Sequence, residues 1–224
     1  MKDRMAVLLI VVVCGVGFSI QLTAKPPGTG DTLTPATGTV SATLLMGAEP
    51  AYTYVGSKKC KMCHIKQFKS WEGTEMGRAF DLLKAGEGSD AKTKGGLDVD
   101  KDYTTDAGCL KCHTTGFGKE GGYAVPDPED KKALRKATKL MNVGCESCHG
   151  PGSAYIKVFQ EIQKSKRKYN VDELYAVGLT KIDESTCIAC HNEESPTRNA
   201  DDPFDYEKMK DDGTHQHVPL KQRE

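Results

Sequence analysis

The chain has 224 residues, in which 31 lysines and arginines are balanced by 31 aspartates and glutamates. This balance excludes a nucleic-acid-binding protein that depends on a strongly basic surface. Hydrophobic residues make up 38% of the chain and aromatic residues 7%, which excludes a large conventional hydrophobic core.

An almost uninterrupted apolar run covers residues 5–22, directly after the positively charged Lys2 and Arg4. This arrangement is typical of a secretory segment. The pattern expected before a cleavage site is poor, because Leu22 stands where a small residue is preferred. Eighteen helical residues cover about 27 Å, enough to span the hydrocarbon core of a membrane. We therefore predict a signal-anchor or transmembrane helix over residues 1–24, with a cleaved signal and a soluble periplasmic protein as the alternative.

Residues 25–51 have the composition of a flexible linker, because proline, glycine, threonine and alanine dominate and large apolar residues are few. A flexible coil of this length spans about 30 Å from end to end. Such a tether would let a single domain, predicted over residues 52–224, search the surface of a membrane partner.

The motif Cys-x-x-Cys-His occurs four times and is the strongest signal in the chain. Its members are Cys60, Cys63 and His64; Cys109, Cys112 and His113; Cys145, Cys148 and His149; and Cys187, Cys190 and His191. In this motif the two cysteines bond to the vinyl groups of one haem, and the histidine binds the iron as proximal ligand. We therefore predict four covalently attached haems c. Such haems are attached outside the cytoplasm, so the motifs also indicate export.

Zinc binding and thioredoxin-like chemistry are the alternatives for a single Cys-x-x-Cys pair. Neither requires a histidine directly after the second cysteine, and all four copies have one. Eight of the nine cysteines and four of the six histidines belong to the motifs. Haem attachment is therefore the favoured interpretation.

The fold predicted for residues 52–224 is mainly α-helical with long loops, and four haems form much of its core. Apolar residues at near-helical spacing indicate helix over about residues 58–84. Residues 86–106 and 114–126 are polar and rich in glycine, so both are predicted to be loops.

Three further helix starts are visible in the sequence. Asp127 and Pro128 are suited to the cap and the first turn of a helix. Ser153 can cap another helix, which carries an apolar stripe that includes Phe159. Asp172 is expected to open a short helix.

The number of histidines limits the distal iron ligands. Four bis-histidine haems would require four histidines outside the motifs, and the chain has only His215 and His217. At least two haems must therefore use methionine, another ligand or a partner's residue, or keep an open site.

The chain resembles the tetrahaem cytochrome c-554 family over roughly residues 55–220. The similar segments are Ser70-Trp71, Asp102-Tyr103-Thr104, Gly116-Phe117-Gly118, Gly121-Gly122-Tyr123, the run from Val143 to Gly152, and a His-x-His near the C-terminus. The resemblance implies a mostly helical fold with closely stacked haem pairs, and electron transfer as the role.

The resemblance also implies a set of distal ligands. The second haem, on His113, would lack a strong one, and the fourth, on His191, would take His215 or His217. The histidine that serves the family's third haem aligns with Met76, so we predict His149/Met76 coordination; the alternative for Met76 is ordinary packing.

The chain departs from the family after the third motif, where the family has a histidine that binds the first haem. Residues 153–157 contain no histidine here. Tyr155, Lys157 or another methionine such as Met46 could replace it, or the first haem could be open. Fewer histidines and an added methionine both suggest higher reduction potentials than in the bis-histidine relatives.

Charge is unevenly placed along the chain. Residues 52–84 hold seven basic and three acidic residues, whereas residues 183–214 hold ten acidic and three basic ones. Such segregation suits transient docking of redox partner proteins, although a merely solvated face is the alternative.

We therefore expect a membrane-anchored periplasmic electron carrier that donates to a membrane complex, such as a photosynthetic reaction centre or an oxidase. The alternative is a haem enzyme whose open iron site reduces nitric oxide or a related nitrogen species. No acid–base constellation around such a site is visible in the sequence, so the electron carrier is the favoured interpretation.

Overall fold

The computed structural model describes residues 52–198 and 203–224. The predicted N-terminal helix over residues 1–24, the predicted linker over residues 25–51 and Met46 lie outside the described residues. Within the described part of the chain, no helix combines the length and apolarity needed to cross a membrane.

The described residues are mainly helical, as predicted, and the helices are short. They are α1 (Ser57–Cys60), α2 (Ile65–Glu72), α3 (Ser89–Lys94), α4 (Ala107–His113), α5 (Lys131–Leu140), α6 (Cys145–His149), α7 (Tyr155–Ser165), α8 (Asp172–Tyr175), α9 (Glu184–Ile188) and α10 (Tyr206–Met209). Isolated β-bridges join Thr114 to Met141 and Tyr169 to Arg223. Because the helices are short and the connections long, many backbone amides and carbonyls outside the helices form hydrogen bonds with side chains.

The helix expected over residues 58–84 is broken into α1, α2 and two 3₁₀ turns, Met76–Arg78 and Asp81–Leu83. Helix α2 ends at Glu72, where the Thr74 hydroxyl donates to the Trp71 carbonyl at 2.8 Å. The chain then folds back so closely that a Cβ on Gly77 would lie 2.5 Å from the same carbonyl. Apolar spacing did not reveal this reversal, which depends on a glycine and a local hydroxyl.

Two of the expected caps differ from the observed ones. Asp127 closes a turn by accepting from the Glu129 amide, and α5 is capped three residues later by Asp130, which accepts from the amides of Lys132 and Ala133 at 2.8 and 3.1 Å. Ser153 caps nothing, because its hydroxyl accepts from the Thr53 amide at 2.9 Å.

Other expectations for this region hold in part. Helix α7 carries the predicted apolar stripe, with Tyr155, Phe159 and Ile162 buried, and α8 begins at Asp172 as predicted. The loop expected over residues 86–106 contains the short helix α3. Its Lys92 is buried, and its ammonium donates to the carbonyls of Lys84 and Val99. These carbonyls allow a charged side chain to be buried, which the sequence pattern does not show.

Two small apolar clusters hold the helices together. One lies around α4 and α5 and contains Phe80, Leu83, Tyr103, Leu110, Tyr123, Ala137 and Leu140. The other lies around α7 and α8 and contains Tyr155, Phe159, Ile162, Tyr169 and Leu174. Leu110 stands inside the second motif, so the first cluster supports that motif directly.

Candidate haem-binding site

Each Cys-x-x-Cys-His motif occupies about one turn of helix. The second motif lies in α4 and the third forms α6, whereas the first and fourth begin in α1 and α9 and end in the turns that follow. In both of these turns the helical hydrogen-bonding pattern continues. The backbone amide of His64 donates to the Cys60 carbonyl at 2.9 Å, and the backbone amide of His191 donates to the Cys187 carbonyl at 3.0 Å. Residues three and four positions apart share a helix face, so the geometry gathers two thiols and an imidazole on one side.

The first and third motifs lie side by side. The Cys60 thiol hydrogen-bonds to Cys145, and this bond raises the pKa of Cys60 and lowers that of Cys145 to about 7. The Cys145 amide also donates to the hydroxyl of Ser57, a buried residue of α1, at 3.1 Å. We call these two motifs the first–third group.

The second and fourth motifs are paired in the same way. The Cys190 thiol hydrogen-bonds to Cys112, and this bond is the largest influence that lowers the pKa of Cys112 to about 7. Lys111 and Glu194 form an ion pair that also joins the two motifs. We call these two motifs the second–fourth group.

Cys148 connects the two groups. Burial is the main reason why its pKa is raised to about 11, and the negative charges that Cys187 and Cys145 can carry raise it further. The third motif therefore lies between the first and the fourth. The spatial order of the motifs is first, third, fourth, second.

Glu146, inside the third motif, holds the first–third group together. Its side chain is 1% exposed, and its carboxylate accepts hydrogen bonds from the amides of Val55, Gly56 and Gly152, the last two at 2.6 Å. Burial raises the pKa of this carboxyl, and the three amides oppose that shift. Because Gly56 directly precedes α1, one carboxylate fixes both the start of the first motif and the chain after the third.

The histidine of the third motif lies among other imidazoles. Its pKa is lowered to about 4, first by burial and then by the positive charges that His215, His64 and His217 can carry. The ring centroids of His149 and His215 are 6.1 Å apart, and the ring planes are inclined by 17°. The His64 ring instead lies against Phe159 of α7, with centroids 5.2 Å apart.

The segment that carries His215 and His217 is held against α2. The Gln216 amide donates to the Ser70 hydroxyl at 2.9 Å, and the Gln67 side chain donates to the Val218 carbonyl at 3.4 Å. His215 is half-buried, whereas the side chain of His217 is 61% exposed.

The histidines of the second–fourth group have different neighbours. The Nδ1 atom of His113 lies 2.6 Å from the Ala79 carbonyl oxygen, and burial lowers the pKa of this histidine. The His191 ring is stacked on Phe204, with centroids 4.7 Å apart. The structure therefore brings the ring of His215 beside that of the third motif's histidine, and coordination of the haem on His191 by His215 or His217 stays a prediction.

The other predicted distal ligands differ in burial and in the contacts that they make. Met76 is half-buried, and its carbonyl accepts from the amide of Val143, two residues before the third motif. The Tyr155 hydroxyl donates to the Gly150 carbonyl at 3.0 Å, and burial raises its pKa. Lys157 is exposed. Coordination by Met76, Tyr155 or Lys157 stays a prediction.

The arrangement fits covalently bound haem. The eight motif cysteines are free thiols, arranged in pairs one helical turn apart. Large apolar residues in or beside the motifs are unusually exposed, with Met62 at 62%, Ile65 at 52% and Ile188 at 43%. An apolar macrocycle bound at the adjacent cysteines would cover such side chains.

Sequence reasoning missed the roles of three residues of the site: Glu146, Ser70 and Phe204. Glu146 and Ser70 lie in segments that resemble the family, but no local pattern indicates which distant backbone each side chain contacts. Phe204 carried no signal, because it lies outside the motifs and outside the similar segments.

Comparisons with known proteins agree with this geometry. Residues 59–150 match the family model described as cytochrome c554 and c-prime. A cytochrome c-554 from Nitrosomonas europaea is 39% identical over 157 residues, which cover 67% of this chain and 63% of that protein's length. The solved structure of reduced cytochrome c554 from the same organism is 34% identical and superposes with a TM-score of 0.65, covering 78% of this chain and 90% of that one.

Proposed function

The chain belongs to the cytochrome c-554 family, and on that premise we propose that it is an electron carrier in which four covalently bound haems c form one relay. Each haem, when bound, supplies a site that gains or loses one electron. The observation that carries the proposal is the spatial order of the motifs, in which neighbouring thiols join the first to the third and the second to the fourth.

The protein's own residues would hold each haem in a fixed position. Two cysteines of each motif would bond to one haem, and His64, His113, His149 and His191 would bind the irons. Glu146 keeps the first and third motifs in register, and the apolar cluster around Leu110 supports the second. Fixed positions suit rapid transfer, because little reorganisation is then needed when an electron moves.

The surface beside the first motif suggests where a partner docks. Five exposed basic residues of α5 form a basic surface together with Lys59, and Lys59, Lys136 and Lys139 line the same depression. The α5 members are Lys131, Lys132, Arg135, Lys136 and Lys139. A redox protein with an acidic face would be steered to this surface.

The acceptor and the membrane attachment are proposed from the sequence. The apolar N-terminal run and the linker support a periplasmic domain tethered to the inner membrane, where a reaction centre or an oxidase could accept its electrons. The test mixes the reduced full-length protein with membranes of its own organism and follows haem oxidation. Oxidation that requires light supports a reaction centre, oxidation that requires oxygen supports an oxidase, and no oxidation in either condition contradicts the proposed acceptor.

Charge reversal tests the docking surface. We expect the substitutions Lys136→Glu and Lys139→Glu together to slow oxidation by those membranes about tenfold at low salt, because they remove electrostatic steering. Reversal of the exposed Lys164 and Lys181 is the matched control and should change the rate little. Equal slowing by both pairs would mean that net charge matters and this surface does not.

A second candidate function rests on the second–fourth group. Within the described residues, which include all six histidines, no ring contact joins His113 or His191 to another imidazole. With a haem bound there and no second imidazole beside it, the reduced protein could bind nitric oxide and supply the two electrons that, with two protons, convert two molecules of nitric oxide to nitrous oxide and water. Nitrous oxide formation by the reduced protein tests this activity, and its absence leaves the carrier function alone.

A further inference from the structure

Six histidines must be distributed over four haems, so the position of the two outside the motifs determines the distal coordination. We propose that His215 is the distal ligand of the haem carried by His149. This inference rests on the proposed function, since it presupposes that the third motif binds haem. It differs from both predictions made by alignment, which placed Met76 at this haem and His215 or His217 at the haem on His191.

The separation of the His149 and His215 rings matches that of two imidazoles bound to one metal ion. Two imidazoles that bind one metal ion from opposite sides have centroids about 6 Å apart, because each metal–nitrogen bond is about 2 Å and each nitrogen lies about 1 Å from its ring centre. The centroids of His149 and His215 are 6.1 Å apart. Offset ring pairs cover a range of about 4.5–7 Å, so the separation matches coordination of one iron and the near-parallel rings are also close enough to contact each other.

Hydrogen bonds of the segment that carries His215 fix that residue beside the third motif. Hydrogen bonds from Gln216 to Ser70 and from Gln67 to Val218 fix the segment on α2. Beyond it, the Tyr169 amide donates to the Gln222 carbonyl at 3.0 Å, and the Glu224 amide donates to the Tyr169 carbonyl at 3.1 Å. The segment is thus attached at both ends to parts of the domain that surround the first–third group.

His215 and His217 differ in burial and in their neighbours. His215 is half-buried beside His149, whereas the His217 side chain is 61% exposed. The Nε2 atom of His217 lies 3.3 Å from the Thr214 hydroxyl and 3.9 Å from the Asp211 carboxylate. The His217 ring also lies against that of His215, with centroids 5.0 Å apart, and of the two rings it is that of His215 that contacts His149.

Met76 is the competing candidate for the distal position of the haem on His149. The contact that places it near the third motif is made by its backbone, whose carbonyl accepts from the Val143 amide. This contact holds Met76 in front of Cys145, while the ring that lies beside His149 belongs to His215. An imidazole and a thioether cannot both occupy the single distal position, so the two assignments exclude each other.

The test is low-temperature EPR and near-infrared magnetic circular dichroism of the oxidised full-length holoprotein. Three single variants are compared with the parent: His215→Gly, His217→Gly and Met76→Leu. We expect His215→Gly to convert one low-spin haem to high spin, and His217→Gly and Met76→Leu to leave that haem unchanged. Loss of the same low-spin signal in Met76→Leu, or in His217→Gly alone, would overturn the proposal.

Two measurements on the same samples keep the result interpretable. Added imidazole should restore the low-spin signal of His215→Gly, which a misfolded variant would not show; failure of this rescue counts against the proposal. A pyridine haemochrome assay of the parent counts the haems. Fewer than four would contradict the proposed function itself, whereas four haems with an unaltered His215→Gly spectrum would contradict only the ligand assignment.

Discussion

The first–third group and the second–fourth group contain the same five-residue motif and are built by different interactions. In the first–third group, a buried carboxylate binds three backbone amides, and two further histidines lie nearby. In the second–fourth group, the first apolar cluster surrounds Leu110, and the motif histidines lie against a carbonyl and a phenyl ring. The motif thus determines where a haem is attached, and its surroundings determine what faces the iron.

This difference has a chemical consequence. The imidazole of His215 can complete the coordination of an iron, whereas the Ala79 carbonyl at Nδ1 of His113 orients that ring and leaves its Nε2 atom to bind an iron. We expect the first–third group to hold the saturated, low-spin haem on His149, and the second–fourth group to hold the sites that bind external ligands. The following substitutions test whether the two groups are as independent as their construction suggests.

The largest effect is expected from Glu146→Ala. The substitution leaves the amides of Val55, Gly56 and Gly152 without their buried acceptor, and each loss costs about 1–3 kcal/mol. We expect the free energy of unfolding of the holoprotein to fall by roughly 4 kcal/mol. Denaturant unfolding followed in the haem absorption band measures this loss.

Glu75→Ala is the matched control for Glu146→Ala. Glu75 is an exposed carboxylate paired with Arg78, and exposed ion pairs contribute little to stability. The EPR signals of the first–third group should change in Glu146→Ala and stay unchanged in Glu75→Ala. If Glu146→Ala altered the second–fourth signals as strongly, the two groups would not be independent.

A smaller loss is expected from Leu110→Ala, which tests the other group. Leu110 is fully buried, and removing a buried leucine side chain costs about 3 kcal/mol through lost packing and the cavity left behind. The partly exposed Leu134, on the outer side of α5, provides the control substitution Leu134→Ala.

The spectral readout of Leu110→Ala is the converse of that for Glu146→Ala. We expect altered signals from the haems on His113 and His191 and an unchanged signal from the haem on His149. A change confined to the haem on His149 would contradict the assignment of the apolar cluster to the second–fourth group.

The haem cofactor and the mainly helical fold could be predicted from the sequence because both depend on local patterns. The cysteine spacing is itself the haem-binding signal, and the apolar stripe of α7 is periodic, so Phe159 and Ile162 are buried as expected. The boundaries that were wrong depend on contacts with other segments. Lys92 is buried in α3 only because the carbonyls of Lys84 and Val99 receive its ammonium.

The distal side of the site was harder to predict for the same reason. Gln216 binds Ser70 across 146 residues of chain, and no local pattern at either position indicates that contact. Alignment with the family transferred the ligand positions one by one, and this works only if the C-terminal segment follows the family's path. The composition shows that histidines are too few for four bis-histidine haems, and only the fold places the ring of His215 beside that of His149.

The smallest expected effect concerns the cap of α5, which carries the basic surface. Asp130→Ala removes the acceptor for the amides of Lys132 and Ala133, so the first turn of α5 should fray and its lysines should become more mobile. The hydrogen bonds from these amides lower the pKa of Asp130, so its contribution is present above the ordinary carboxyl pKa and is lost as the pH falls through the lowered value.

We therefore expect Asp130→Ala to lower the melting temperature slightly at neutral pH and to have no effect in acid, where the parent's carboxyl is protonated. Asp127→Ala is the control, because Asp127 closes only the preceding turn. Hydrogen exchange of the α5 amides should quicken in Asp130→Ala and stay near the parent rate in Asp127→Ala. Lys139 of α5 lies against Gly56, the residue that directly precedes α1. A shift in the first–third EPR signals with this mild substitution would therefore show that the basic surface and the first haem are mechanically coupled, whereas unchanged signals would leave α5 as a docking element alone.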